Sequence, residues 1–309
     1  MHAELGATPA RCAKTDGYNY REAKSMISAY HRPTKLAEAL ALVARASPPT
    51  LPLAGGTQLS RSTRGAVEVV DLQGLGLNEI LIRGDHLEIG AMTTLEQLHR
   101  STAVPPALQQ AAALEVPLNL RNAATVAGTV VCADGKSTVT GVLLALDATL
   151  MVATAPSRSA GAGAPSTSGA RGNPRTSTAG ERRVGLGDFL PLRESISGSL
   201  ITRLTVPQNP RVEFEYVART PKSPPIVFVV VATWPSGRVR AVCGGFGDAP
   251  LLALDGVGAM GLIPALRNAL HDADDYRGSA EYRMAAATVL TQRCADRLGL
   301  ALRGQETQV

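Results

Sequence analysis

The chain has 309 residues, 45% of them hydrophobic and 18% charged, with a mean hydropathy of +0.05. This length and composition predict a globular protein of two domains that buries a substantial core. The net charge of +5 is concentrated between residues 155 and 183, where five arginines accompany one glutamate. The rest of the chain therefore lacks the basic face that nucleic-acid binding requires, and no nucleic-acid partner is expected.

The sequence contains no apolar run long enough to span a membrane, and its first residues do not resemble a signal peptide. These features predict a cytoplasmic protein without membrane insertion. The four cysteines are dispersed without a CxxC spacing, so reduced thiols are expected rather than a zinc or cluster site. The five histidines are scattered as well, and no catalytic residue or metal ligand is predicted on this chain.

Residues 1–25 show no periodicity and predict an N-terminal arm. A short extended segment then leads to Thr34, a predicted N-cap for a helix that runs to about Ala46. Leu36, Leu40 and Val43 fall on one face of this helix.

The stretch Leu51–Ser60 reads as a buried strand that opens into the pair Gly55-Gly56. Two successive glycines permit positive φ and let several backbone N–H groups converge, which is how proteins often hold a phosphate. A Gly-Gly pair is also common in ordinary turns, so this alternative stays open. The strand Val67–Leu72 follows and completes a βαβ-like beginning.

A hairpin is predicted over Leu77–Ala91, followed by helices at Leu95–Arg100 and Pro106–Glu115. Thr94 and Gln97 have the spacing of a capping box for the first of these helices. The run Val116–Cys132, rich in small and apolar residues and with one Gly, then predicts a second turn where the backbone approaches a ligand closely. The alternative is that Gly128 only allows close packing of a strand on a helix.

Residues 155–182 are rich in Ala, Gly, Ser, Pro and Thr and predict a low-complexity insertion. After the strand Leu200–Pro207, a second domain is expected with three antiparallel strands and helices. Its strands are predicted at Arg211–Val217, Ile226–Thr233 and Arg238–Phe246. Its helices are predicted at Pro264–Ala273 and from Ser279 onward, the last with one face formed by Tyr282, Ala286, Val289, Leu290, Cys294 and Leu298.

The order and spacing of four blocks resemble the FAD-binding medium subunit of molybdenum hydroxylases, the family of carbon monoxide dehydrogenase and xanthine dehydrogenase. These blocks are Ala54–Thr57, Val70–Leu72, Arg121–Gly128 and Leu144–Ala148. The segment Asp274–Arg283 resembles the C-terminal domain of the same subunits.

The resemblance implies an α+β fold. A PCMH-type FAD-binding domain of two α+β subdomains would span residues 26–208. A C-terminal α+β domain with a three-stranded antiparallel sheet and a helical bundle would span residues 209–309. It also implies that two glycine-containing segments hold the FAD diphosphate from opposite sides. The implied cofactor-binding residues are Leu53, Ala54, Gly55, Gly56, Thr57, Gln58, Leu59, Thr125, Val126, Ala127, Gly128, Thr129 and Thr138.

By the same resemblance, this chain is a flavoprotein component of an oxidoreductase. A large partner subunit would hold the molybdenum cofactor, and a small partner would hold two [2Fe-2S] clusters. Electrons would pass from these clusters through FAD to an external acceptor, within a dimer of heterotrimers.

The chain departs from the family pattern at several positions near the implied flavin. Ala127 and Thr129 stand where relatives usually have Gly and Asn, Thr138 replaces an Asp, and Ser223-Pro224-Pro225 replaces Asp-x-Ala. Glu215-Tyr216 stands where relatives usually have a Lys. Two alternatives therefore accompany the main hypothesis. One is a flavin-free structural or regulatory subunit on the same fold, and the other is an unrelated nucleotide-binding protein.

Overall fold

The computed structural model describes residues 27–59, 67–155, 180–193, 198–221 and 223–302. The predicted N-terminal arm and nearly all of the predicted insertion lie outside these residues. The strands are β1 (Ile27–His31), β2 (Thr50–Leu53), β3 (Val67–Asp71), β4 (Ile80–Arg83), β5 (His86–Gly90), β6 (Thr149–Thr154), β7 (Gly180–Gly185), β8 (Ser199–Pro207), β9 (Arg211–Val217), β10 (Val227–Thr233), β11 (Arg238–Gly244) and β12 (Leu251–Val257). The α-helices are α1 (Leu36–Val43), α2 (Leu95–Arg100), α3 (Pro106–Glu115), α4 (Leu118–Arg121), α5 (Val126–Val131), α6 (Thr138–Ala145), α7 (Leu186–Leu192), α8 (Leu262–Ala269) and α9 (Ala280–Leu298).

The first sheet is parallel, with the strand order β1-β3-β2, as the βαβ-like beginning predicted. Leu53 at the end of β2 lies opposite Asp71 at the end of β3, so both strands end at the same edge. The predicted cap of α1 is wrong by one residue. Lys35 is the N-cap, with extended dihedrals and no side-chain hydrogen bond, and Thr34 lies outside the helix.

The second sheet has five antiparallel strands in the order β4-β5-β8-β6-β7. Helices α2, α3, α5, α6 and α7 contribute to the main core with strands of this sheet. The capping box on α2 is confirmed, because the Thr94 side chain accepts from the Gln97 N–H and the Gln97 side chain accepts from the Thr94 N–H. The last three residues of the predicted insertion, Gly180, Glu181 and Arg182, belong to β7 and pair with β6.

The third sheet has four strands in the order β12-β11-β10-β9, so the prediction of three strands missed β12. The central strand β10 is buried on both faces, from Val227 to Ala232. Phe228, Val230 and Ala232 join the main core, while Val227, Val229 and Val231 join the core beneath α8 and α9. This sheet therefore joins the two predicted domains directly.

Helix α9 buries Ala287, Leu290, Cys294 and Leu298 against the third sheet. The prediction that Tyr282 and Val289 share this face is wrong, since they are 47% and 52% exposed. The fully buried side chain at the start of the face is Arg283. Its guanidinium donates to the carbonyl oxygens of Ile226 and Ala273 and to Asp275 Oδ1, the last at 2.6 Å.

A second contact between the predicted domains is made by backbone alone. The Gly135 N–H donates to the Gly247 carbonyl at 2.9 Å, and the Gly245 N–H donates to the Gly135 carbonyl at 2.6 Å. A Cβ at Gly135 would lie 1.5 Å from the Phe246 oxygen. Only glycine permits this approach, which fixes the loop between α5 and α6 against the C-terminal part.

The described cysteines are free thiols: Cys132 is exposed, and Cys243 and Cys294 are buried. Burial raises the pKa of the Cys243 and Cys294 thiols to about 12, so both stay protonated and unreactive at neutral pH. Among the described helices, none is long and apolar enough to cross a membrane.

Candidate functional site

The Gly-Gly turn, Ala54–Gln58, leaves the parallel sheet directly after β2. Gly56 has φ +68°, in the left-handed region that favours glycine. Among the hydrogen bonds of the described residues, the N–H groups of Gly55 and Thr57 have no acceptor. Both residues are only partly buried, so these N–H groups are available to an anionic ligand.

Gly55 also has a packing role that the sequence did not reveal. A Cβ at this position would lie 1.7 Å from the carbonyl oxygen of Ala123 and 2.5 Å from its carbon. The backbone of the Gly-Gly turn therefore contacts the chain that enters α5. Gly55 is needed where two protein segments meet, whatever its N–H group binds.

The second predicted turn is the N-terminus of the short helix α5, with Thr125 as its N-cap. All four N–H groups at the start of this helix have protein acceptors. The Val126 and Ala127 N–H groups donate to the Thr93 and Ala91 carbonyls, and those of Gly128 and Thr129 donate to Thr125. This segment therefore offers a ligand its surface and the Thr125 hydroxyl rather than free backbone donors.

The Gly-Gly turn and α5 face a single cleft of about 460 Å³, within the range of small-molecule sites. Ten of the thirteen implied cofactor-binding residues line it. They are Leu53, Ala54, Gly55, Gly56, Thr57, Gln58, Leu59, Thr125, Gly128 and Thr129. The two segments are far apart in the sequence, and the fold brings them to the same cleft.

The other three implied residues, Val126, Ala127 and Thr138, do not line the cleft. Val126 is fully buried, and Ala127 packs against the main core. Thr138 is also fully buried, and its Oγ1 lies 2.9 Å from both the Ala111 carbonyl oxygen and Glu115 Oε2. The methyl group of Ala127 therefore does not obstruct the cleft.

The remaining walls come from residues that the sequence did not single out as ligands. They include Glu115 at the end of α3, the loop Cys132–Ser137 without Gly135, and Pro224-Pro225 from the C-terminal part. Pro224-Pro225 was noted only as a departure from the family pattern. The sequence of the loop Cys132–Ser137 did not indicate that it lines a cleft, because its place at the cleft depends on the backbone contact between Gly135 and the C-terminal part.

Glu115 is the last residue of α3, and its side chain contacts the N-terminus of α6. Its Oε2 accepts from the Val139 N–H at 2.9 Å, where the helix dipole favours a negative charge. Burial raises the pKa of this carboxyl above its ordinary value, although its hydrogen bonds to Val139, Ser137 and Thr138 oppose the rise. Glu115 is thus a cleft-wall carboxyl that holds a proton more readily than an exposed one.

This raised pKa predicts how stability depends on pH. Between the ordinary pKa and the raised one, the folded state keeps a proton that the unfolded state has lost. The free energy of unfolding should therefore fall as pH rises through this interval. In the variant Glu115→Gln this pH-dependent decrease should be absent, because glutamine does not titrate. Urea unfolding of both proteins across a pH series measures the difference, and a difference that does not change with pH would contradict the assignment.

The geometry fits the diphosphate-containing cofactor that the resemblance implies. The Gly-Gly turn supplies N–H donors, and the leucine, valine and proline side chains around it supply an apolar lining. Among the described residues, no group of three or more His, Cys, Asp and Glu side chains could hold a metal ion.

Residues 22–160 match the family model described as the FAD binding domain in molybdopterin dehydrogenase. Over 128 residues the chain is 33% identical to the uncharacterized protein YgfM of Escherichia coli strain K12, which covers 41% of this chain and 49% of YgfM. The chain thus spans about half the length of the curated relatives it matches.

Solved structures share the fold over most of the chain. Quinoline 2-oxidoreductase from Pseudomonas putida 86 matches with a TM-score of 0.66 and 22% identity, covering 87% of this chain and 95% of that chain. Reconstituted CO dehydrogenase from Oligotropha carboxidovorans matches with a TM-score of 0.65 and 24% identity, covering 87% and 96%. These likenesses confirm the predicted α+β fold class, and the family match supports the resemblance to FAD-binding subunits over residues 22–160.

Proposed function

We propose that this chain, whose residues 22–160 match the FAD binding domain in molybdopterin dehydrogenase, is the flavoprotein electron-transfer subunit of a molybdenum hydroxylase. It would receive electrons from [2Fe-2S] clusters on a small partner subunit and deliver them to an external acceptor. The observation that carries this proposal is the convergence of the Gly-Gly turn and α5 on one cleft.

Bound FAD would supply the redox chemistry, and the protein would supply position and electrostatics. The free N–H groups of Gly55 and Thr57 would bind the diphosphate. The Thr125 hydroxyl also lines the cleft, where it accepts from the Gly128 N–H and can donate its own proton to an anion. Pro224-Pro225 would close the cleft from the C-terminal side and exclude water.

The partners belong to the proposal as well. A large subunit would hold the molybdenum cofactor, and the whole would form a dimer of heterotrimers in the cytoplasm. Support comes from the fold shared with the carbon monoxide dehydrogenase from Hydrogenophaga pseudoflava, an enzyme solved without the Mo-pyranopterin moiety of its molybdenum cofactor. Purification of this chain with its partners, followed by determination of flavin, iron and molybdenum, tests the assembly.

The variant Gly56→Ala tests the role of the Gly-Gly turn. Alanine disfavours φ +68°, and the turn should shift enough to misplace the neighbouring N–H donors. We expect FAD affinity to fall about tenfold, the effect of one lost hydrogen bond to a charged group. Titration of the flavin-free full chain with FAD, followed by flavin fluorescence, measures this.

Gly76 provides the matched control, since it has φ +66° and open space around its Cβ position and does not line the cleft. Gly76→Ala should carry a similar backbone strain and leave FAD affinity unchanged. Equal affinity in both variants would refute the role of the turn. A wild-type chain that binds its partners but no FAD would favour the flavin-free structural subunit instead.

A further inference from the structure

The charged side chains of the cleft do not by themselves favour an anion. Among the described residues that line the cleft, the charged ones are Glu115, Asp134 and Lys136. Lys136 is offset by Asp134, and Glu115 adds no positive charge, so these side chains supply no net positive charge, whereas a diphosphate requires positive charge or hydrogen-bond donors. Lys136 is the one cation in this set.

The backbone donors on the α5 side cannot make up the difference. The N–H groups of residues 126–129 are already bonded to protein acceptors. Donors to a diphosphate therefore come from the backbone of the Gly-Gly turn and from side chains that line the cleft. Among the described residues that line the cleft, Lys136 is therefore the one that could supply a positive charge to a diphosphate.

The loop that carries Lys136 is fixed in place. The neighbouring Gly135 exchanges two hydrogen bonds with Gly245 and Gly247, and the Ser137 N–H donates to the Asp134 carbonyl at 3.0 Å. The Lys136 N–H donates to Asp134 Oδ1 at 2.8 Å. The backbone at Lys136 is thus held at the cleft wall from both sides.

The ammonium group of Lys136 pairs with Asp134 Oδ2 at 3.1 Å, and the two side chains are 36% and 52% exposed. An ion pair this exposed contributes little to stability. The Lys136 ammonium group can therefore leave Asp134 and bind a more highly charged anion at a small cost in free energy.

We propose that Lys136 binds the diphosphate of the dinucleotide cofactor, and that Asp134 competes with the diphosphate for the ammonium group. This inference rests on the proposed function, because it needs FAD in the cleft. It assigns a cationic ligand to the same cleft that the Gly-Gly turn lines.

The test is a titration of the flavin-free full chain with FAD at low and at high ionic strength. Lys136→Gln should weaken FAD binding about tenfold at low salt, as expected for loss of one partly exposed charge near the diphosphate. The deficit should shrink at high salt, because salt screens the interaction. Asp134→Asn should change the affinity in the opposite direction, tightening FAD binding about threefold.

Lys35→Gln is the matched control, since Lys35 is exposed, precedes α1 and does not line the cleft. It should leave FAD affinity unchanged, and thermal unfolding should show all three variants folded. If the wild type binds FAD and Lys136→Gln binds it equally well, the inference is wrong and the proposed function stands. A deficit that is the same at both salt concentrations would show a structural effect and would also overturn the inference. If the wild type binds no FAD, the proposed function itself fails.

Discussion

Replacing Arg283 with methionine is expected to lower the free energy of unfolding by about 3–5 kcal/mol, the range seen when one partner of a buried charged pair is removed. Methionine fills much of the same volume but leaves the carbonyls of Ile226 and Ala273 without their donor. It also strips Asp275 of its guanidinium partner. Urea unfolding followed by circular dichroism measures the change.

Arg293→Met is the matched control on the same helix. Its side chain is 59% exposed and approaches Glu215 only to 3.9 Å, so the expected cost is below about 1 kcal/mol. Arg283→Lys should restore only part of the loss, because lysine cannot match the three directions in which the guanidinium donates. Equal stability of Arg283→Met and Arg293→Met would show that the buried network contributes little.

Replacing Gly55 with alanine should both destabilise the fold and remove FAD binding. The new methyl group would lie 1.7 Å from the Ala123 oxygen, a backbone atom that cannot rotate away. The Gly-Gly turn and the entry to α5 must then separate, at a cost of about 3 kcal/mol, the upper end of ordinary overpacking. Because the cleft lies between these segments, its shape should change with them.

Gly256→Ala provides the control for this variant. Gly256 lies on β12 with no atom within 4 Å of its Cβ position, and its φ is not in the left-handed region. This variant should unfold at the wild-type urea concentration and bind FAD normally. Wild-type stability and FAD affinity in Gly55→Ala would mean that the two backbones do not touch as described.

The sequence predicted those strands and helices well whose signals are local. The capping pair Thr94 and Gln97 sets the start of α2, and the hydrophobic run of β10 is typical of a strand buried on both faces. The approach of the Gly-Gly turn to α5 was also predicted, although through the family resemblance rather than through local pattern.

The errors have physical causes that lie outside local sequence. The buried face of α9 was misplaced because its first turn includes Arg283, and a charged residue is almost never assumed to be fully buried. The helix α5 was taken for a turn because Gly128 and its β-branched neighbours are weak helix formers. Its cap at Thr125 and its contacts with Ala91 and Thr93 outweigh that preference.

The cleft residues beyond the two family blocks could not be foreseen for a related reason. Lys136 reaches the wall because Gly135 meets the Gly244–Gly247 segment more than a hundred residues later. Pro224-Pro225 reaches it because Arg277 donates to the Pro224 carbonyl at 2.5 Å, from the turn before α9. Contacts at such sequence separation carry no periodic signature.

The contact at Gly135 bears on how this protein can be shortened. A fragment that stops at residue 208 would keep every residue of the family match, yet the peptide group of Gly135 would lose both of its hydrogen-bonding partners. A shortened protein that is to keep the cofactor-binding half folded should therefore keep the C-terminal half as well.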